Sequence, residues 1–171
     1  MQALQISVDV VMERVPLASR WQSETWRPCA VVPALAADGG RDTCIALDAD
    51  GARWRFPGHV VELHPVEAEG YFLNLTSPAP CVFVMWRAGE ASAPPAARPV
   101  LVTVSYNEAG RLMDGGERVD SVAMPGAIAD WMRPFVAEHY KPEPRRKVRR
   151  NDPFADGAFV RTPRDGGTDR R

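Results

Sequence analysis

The residue types that most often carry chemistry are scarce in this chain. It has three cysteines and three histidines among 171 residues. Cys29, Cys44 and Cys81 are odd in number, lie 15 and 37 residues apart, and form no Cys-x-x-Cys or Cys/His pattern with zinc spacing. That excludes a disulfide scaffold and a zinc ribbon and fits a reducing compartment. His59 and His64 are five apart, which in a strand puts them on opposite faces and weakens joint metal binding; His139 stands alone. No run approaches the roughly 18 apolar residues of a membrane helix. Asp9, Glu13 and Arg14 interrupt the apolar stretch of the first twenty residues, whereas a signal peptide has an uncharged core, so the expected location is cytoplasmic. Gly39-Gly40 and Gly115-Gly116 lack the spacing of a phosphate-cradling loop or a dinucleotide fingerprint, and there is no Gly-x-Ser-x-Gly elbow. Glu62, Glu67 and Glu69 are candidate paired carboxylates, but acids near turns are ordinarily solvated. These residues assign no catalytic group, metal or cofactor.

Turn formers, by contrast, are plentiful. Sixteen prolines and thirteen glycines exceed the usual share of about 12% and point to short strands and many turns. Charge is divided unevenly. Residues 1–140 hold 11 Lys+Arg and 17 Asp+Glu, a net of −6; residues 141–171 hold 10 and 5, a net of +5. The basic segment has few apolar groups and four prolines, too little to offset the entropy of ordering it. The expected organisation is a β-rich globular domain over 1–140, ending in a helix, and a disordered basic tail over 141–171. Ala88–Pro99 reads as a flexible loop.

Within the body, residues 6–15 alternate apolar and polar up to Pro16, a strand signal. Trp26–Val32 is a second strand, placed at an edge or bulge by Pro28. Thr43–Leu47, Arg53–Phe56, Val60–His64 and Val100–Tyr106 read as further strands. Tyr71–Leu75 and Cys81–Trp86, both strong β formers, read as a hairpin. Ser105 with Glu108 three residues on opens a helix that stops at Gly115-Gly116. Pro125 opens a last helix, running to about Tyr140, with an apolar stripe of Ile128, Trp131, Met132, Phe135 and Val136. The expected fold class is α+β: an antiparallel β-barrel or sandwich of seven or eight short strands, then two helices.

Five tryptophans stand out. Trp86 and Trp131 fit a core. Trp21 and Trp26 flank the polar stretch Gln22–Thr25 just after Arg20, a grouping enriched at recognition sites, although both rings also suit the covering of a barrel end. Arg20, Trp21 and Trp26 are therefore candidate partner-binding residues. The tail offers a second set. Arg145, Arg146, Lys147, Arg149 and Arg150 suit carboxylate or phosphate contacts, and Phe154 is an apolar anchor.

Several stretches carry a resemblance. These are Arg14–Trp21 with Trp26, Glu62–Pro78, Val82–Arg87, and His139–Pro144 ahead of Asn151-Asp-Pro-Phe154. Over residues 8–154 the chain resembles a bacterial family classed as a domain of unknown function. That family's genes lie beside those of molybdenum- or tungsten-dependent formate dehydrogenases, and some members are labelled as related to molybdopterin-guanine dinucleotide biosynthesis. The resemblance implies a non-enzymatic accessory or assembly protein for a molybdenum-dependent formate dehydrogenase. Its partner would be a dehydrogenase subunit or a maturation factor. A molybdopterin cofactor-handling protein or enzyme, and a nucleic-acid binder acting through the basic tail, are the alternatives. The family supplies no catalytic residues to carry over.

Overall fold

Val8, Val10 and Met12 alternate with Ser7, Asp9, Val11 and Glu13 along β1 (Leu4–Pro16), so one face of this strand is apolar and fully buried. In the computed structural model, which describes residues 4–34, 40–48, 51–89 and 95–142, β1 lies inside a four-stranded antiparallel sheet. Its neighbours are β2 (Glu24–Pro33) and β4 (Gly51–Leu63), with β3 (Thr43–Asp48) beyond β4, giving the order β2-β1-β4-β3. Pro28 meets both expectations for a strand proline. It lies on an edge strand, and the register steps there from Val11↔Ala30 to Met12↔Pro28, leaving Cys29 as the extra residue of a bulge.

The two strands expected at Arg53–Phe56 and Val60–His64 are one continuous strand, β4, and His64 lies just past its end. Pro57-Gly58 is a bulge opposite Asp9 rather than a turn. Pairing passes from Val10↔Phe56 to Val8↔His59, and Gly58 takes φ +81°, which a glycine adopts without strain.

A second antiparallel sheet has the order β6-β5-β7, from β5 (Cys81–Ala88), β6 (Ala97–Thr103) and β7 (Val119–Ala123). Strand β7 carries no clear sequence signal: it has five residues, of which only Val122 is buried. The two sheets share one core, in which Val10, Met12 and Phe56 from the first meet Val84, Trp86 and Val102 from the second. They do not close into a barrel, because β2 and β7 are each a sheet edge and do not pair with one another.

The expected hairpin at Tyr71–Arg87 is absent. Ala68–Leu75 is a helix, α1, entered from a 3-10 turn at Pro65–Glu67. Tyrosine, phenylalanine and leucine favour strands locally, but the buried residues recur as Ala68, Tyr71 and Asn74, at helical steps. The Tyr71 hydroxyl accepts from the His64 N–H at 3.1 Å and lies 3.4 Å from the Glu62 carbonyl, tying the helix to the end of β4. The described residues thus hold three α-helices, where the sequence pattern predicts two. The second, α2 (Tyr106–Asp114), is capped by Ser105 as expected and ends at Gly115. The third, α3 (Gly126–His139), buries Ile128, Met132 and Val136, while Trp131 and Phe135, placed in the core by the sequence pattern, are half-buried at its margin.

Candidate partner-binding surface

The loop joining β1 to β2 is a closed hairpin end. Pro16 pairs with Glu24, and the Leu17 N–H donates to the Ser23 carbonyl at 2.8 Å. Inside it, the Ser19 hydroxyl accepts from the Trp21 N–H at 3.2 Å. Held this way, the Trp21 side chain stands in solvent, 92% exposed, with the Arg20 guanidinium 5.8 Å from its ring centre. Tryptophan is usually well buried, so this ring stands apart from scattered surface hydrophobes.

Trp26 goes elsewhere. Opposite Arg14 in β2, it is half-buried against the core margin, and its indole N–H is enclosed without a partner. It walls a cleft of about 300 Å³ with Gln22, Thr25, Arg27, Trp86, Arg118 and Asp120, and the Arg27 guanidinium is held by Glu13 at 2.7 Å. This cleft lies along the seam between the two sheets. The Trp86 indole N–H donates to Asp120 Oδ2 at 2.6 Å, and the Arg118 guanidinium lies 4.6 Å from the Trp86 ring centre. So Trp21 marks a free hairpin tip, while Trp26 covers the end of the core and opens onto the cleft. Arg118, just before β7, and Asp120, within it, carry no mark in the sequence, because that strand has no clear signal of its own. The tail candidates Arg145, Arg146, Lys147, Arg149, Arg150 and Phe154 lie outside the described residues.

A second polar cluster looks chemical but is architectural. The Ser105 hydroxyl donates to Glu67 Oε2 at 2.7 Å and accepts from the Glu108 N–H at 3.1 Å; Glu67 Oε1 takes Arg111 at 2.5 Å. Ser105 has no exposed surface, so no substrate reaches it. Glu67, expected to be solvated, is thus committed to holding α1 against α2. Glu62 accepts from Gln5 at 2.6 Å and meets His64 at 3.3 Å.

The remaining groups are dispersed. Burial pushes the Cys29 and Cys81 thiols above the usual range, away from the reactive thiolate, and all three cysteines are free. No three His, Cys, Asp or Glu side chains among the described residues gather as metal ligands. Burial also pushes the His59 imidazole down, against a smaller opposite pull from Asp42 and Asp9. Below the unfolded value of about 6.5 the unfolded chain takes up a proton that folded His59 resists, so this residue costs stability as pH falls. His59→Gln should therefore lose less stability than the wild type between pH 7.5 and 5.5, measured as urea midpoints. Equal losses would assign the pH dependence to other groups.

A family model described as "Protein of unknown function (DUF3305)" matches residues 7–149, most of both sheets and all three helices. The chain belongs to the DUF3305 family. No curated protein and no solved structure matches it. The DUF3305 match takes in the β1–β2 hairpin from Ser7 onward and every residue lining the cleft. No helix among the described residues is long and apolar enough to cross a membrane.

Proposed function

We propose that this chain is a non-enzymatic binding protein that grips a protein partner through its β1–β2 hairpin. The observation carrying this reading is the exposed Trp21 ring with Arg20 stacked on it. Tryptophan and arginine dominate binding hot spots because they bury large area and keep a polar handle. The resemblance in residues 8–154 supplies the partner class: a molybdenum-dependent formate dehydrogenase subunit or one of its maturation factors. The chain would then act in assembly of that enzyme. The arginines from Arg145 to Arg150, with Phe154, form a second, salt-sensitive contact in this proposal.

Recovery of partners on a tagged full-length chain tests this. Trp21→Ala removes a side chain that supports nothing else, so its stability should stay within about 0.5 kcal/mol of wild type. Partner affinity should fall roughly thirtyfold, as for a hot-spot residue worth about 2 kcal/mol. Undiminished recovery of the dehydrogenase partner by Trp21→Ala would overturn the hairpin assignment. A bound pterin or nucleic acid in place of that partner would overturn the function.

A further inference from the structure

Residues 4–142 contain eleven arginines. Eight of them, including Arg14, Arg27, Arg87 and Arg111, have a carboxylate within 4 Å. Arg20, Arg41 and Arg118 have none among the described residues. Acids are not in short supply, since residues 1–140 carry a net charge of −6. Two of these three arginines are stacked on indoles, Arg20 on Trp21 and Arg118 on Trp86, and both belong to the hairpin–cleft region. The indole face takes no N–H hydrogen bond in the guanidinium plane, so a guanidinium lying over it keeps its donors for a bidentate acceptor. The neighbouring acid, Asp120, is engaged by the Trp86 N–H instead. The Trp26 ring supplies apolar wall beside the charge.

We infer that the seam cleft receives a side-chain carboxylate from an extended segment of a partner protein, clasped by Arg118 over Trp86. This rests on the reading of the chain as a protein-binding protein and names the chemistry of what it binds. Charge complementarity selects the acid. Asp120 opposes a second negative charge in the same cleft, so the segment has a lone acid between apolar residues rather than a polyacidic run.

The test uses the full chain and the blocked peptide Ser-Leu-Glu-Leu-Ser, with Ser-Leu-Gln-Leu-Ser as its isostere. The chain has five tryptophans, so five indole N–H signals report on binding by NMR. The glutamate peptide should shift the Trp26 and Trp86 signals saturably, and the glutamine peptide should not. Arg118→Gln should weaken binding about tenfold, the usual loss when a charged hydrogen bond is removed. Arg118 is exposed, so the variant should keep a dispersed spectrum. Arg41→Gln, which removes the unpaired arginine just ahead of β3, should bind as wild type. Equal binding of the two peptides, wild-type affinity in Arg118→Gln, or an equal loss in Arg41→Gln would each overturn the inference. Trp21→Ala failing to reduce partner recovery would sink the hairpin reading without altering these peptide shifts, so the two failures are distinguishable.

Discussion

Asn74→Asp should cost more stability than any surface change in this protein, because it reverses two hydrogen bonds at a fully buried position. Asn74 has no exposed surface. Its amide nitrogen donates to the Cys81 carbonyl at 2.7 Å and the Val104 carbonyl at 2.8 Å, and its oxygen accepts from the Cys81 N–H at 3.0 Å. One side chain thus ties α1 to the start of β5 and to the segment following β6. A carboxylate of the same shape keeps the third bond and turns the other two into oxygen facing oxygen. Each orphaned carbonyl costs about 1–3 kcal/mol, and a buried anion adds to that, against a total stability of roughly 5–15 kcal/mol. Burial raises the pKa of the new acid above its unfolded value of about 3.9, so the penalty grows as pH rises through that value and shrinks in acid. Relative to wild type, Asn74→Asp should therefore melt closer to normal at pH 4 than at pH 7. A melt at pH 7 within about 1 kcal/mol of wild type would show that the carboxamide is not the clamp.

Where the pattern is local, the fold was readable. The alternation of Val8, Val10 and Met12 marks β1, Pro28 marks an edge with a bulge, and Ser105 with Gly115-Gly116 brackets α2. Where distant partners decide, it was not. Tyr71–Leu75 has strand-forming side chains and becomes helix because Tyr71 and Asn74 find their partners outside the helix, in β4, β5 and beyond β6. Pro57-Gly58 looks like a turn and is a bulge because both flanking segments pair with one long strand, β1. The stretch Glu62–Pro78, the longest piece of the family resemblance, is rich in residues that suggest chemistry. Glu67, Tyr71 and Asn74 are all spent on holding the fold. The candidate surface divides the same way. An exposed tryptophan beside arginine is visible in residues 20–21, whereas Arg118 and Asp120 meet Trp26 only across the seam between two sheets.

Gly70→Ala sets two opposing effects against each other. Helix propensity alone favours alanine inside α1 by about 1 kcal/mol. The structure opposes it, because a Cβ at position 70 would lie 2.2 Å from Ser105 Oγ and 3.2 Å from the Asn107 nitrogen. Ser105 cannot simply turn away, since its hydroxyl caps α2 at the Glu108 N–H and donates to Glu67. Losing that cap costs about 0.5–2 kcal/mol, and overpacking costs about 1–3 kcal/mol, so sterics win and Gly70→Ala should be destabilising. The partner in the clash can be removed. Ser105→Ala is itself destabilising through the lost cap, but it deletes the oxygen, leaving the Ser105 Cβ 3.3 Å from the new methyl. In that background Gly70→Ala should cost far less, because the helix propensity of alanine is then opposed only by the milder contacts with the Ser105 Cβ and the Asn107 nitrogen. A coupling of about 1–3 kcal/mol between the two sites is expected from urea unfolding of the wild type, both single variants and the double variant. Additive effects would mean that α1 approaches the α2 cap less closely than the Gly70–Ser105 contact requires, and that glycine is held at position 70 by the Asn107 backbone alone.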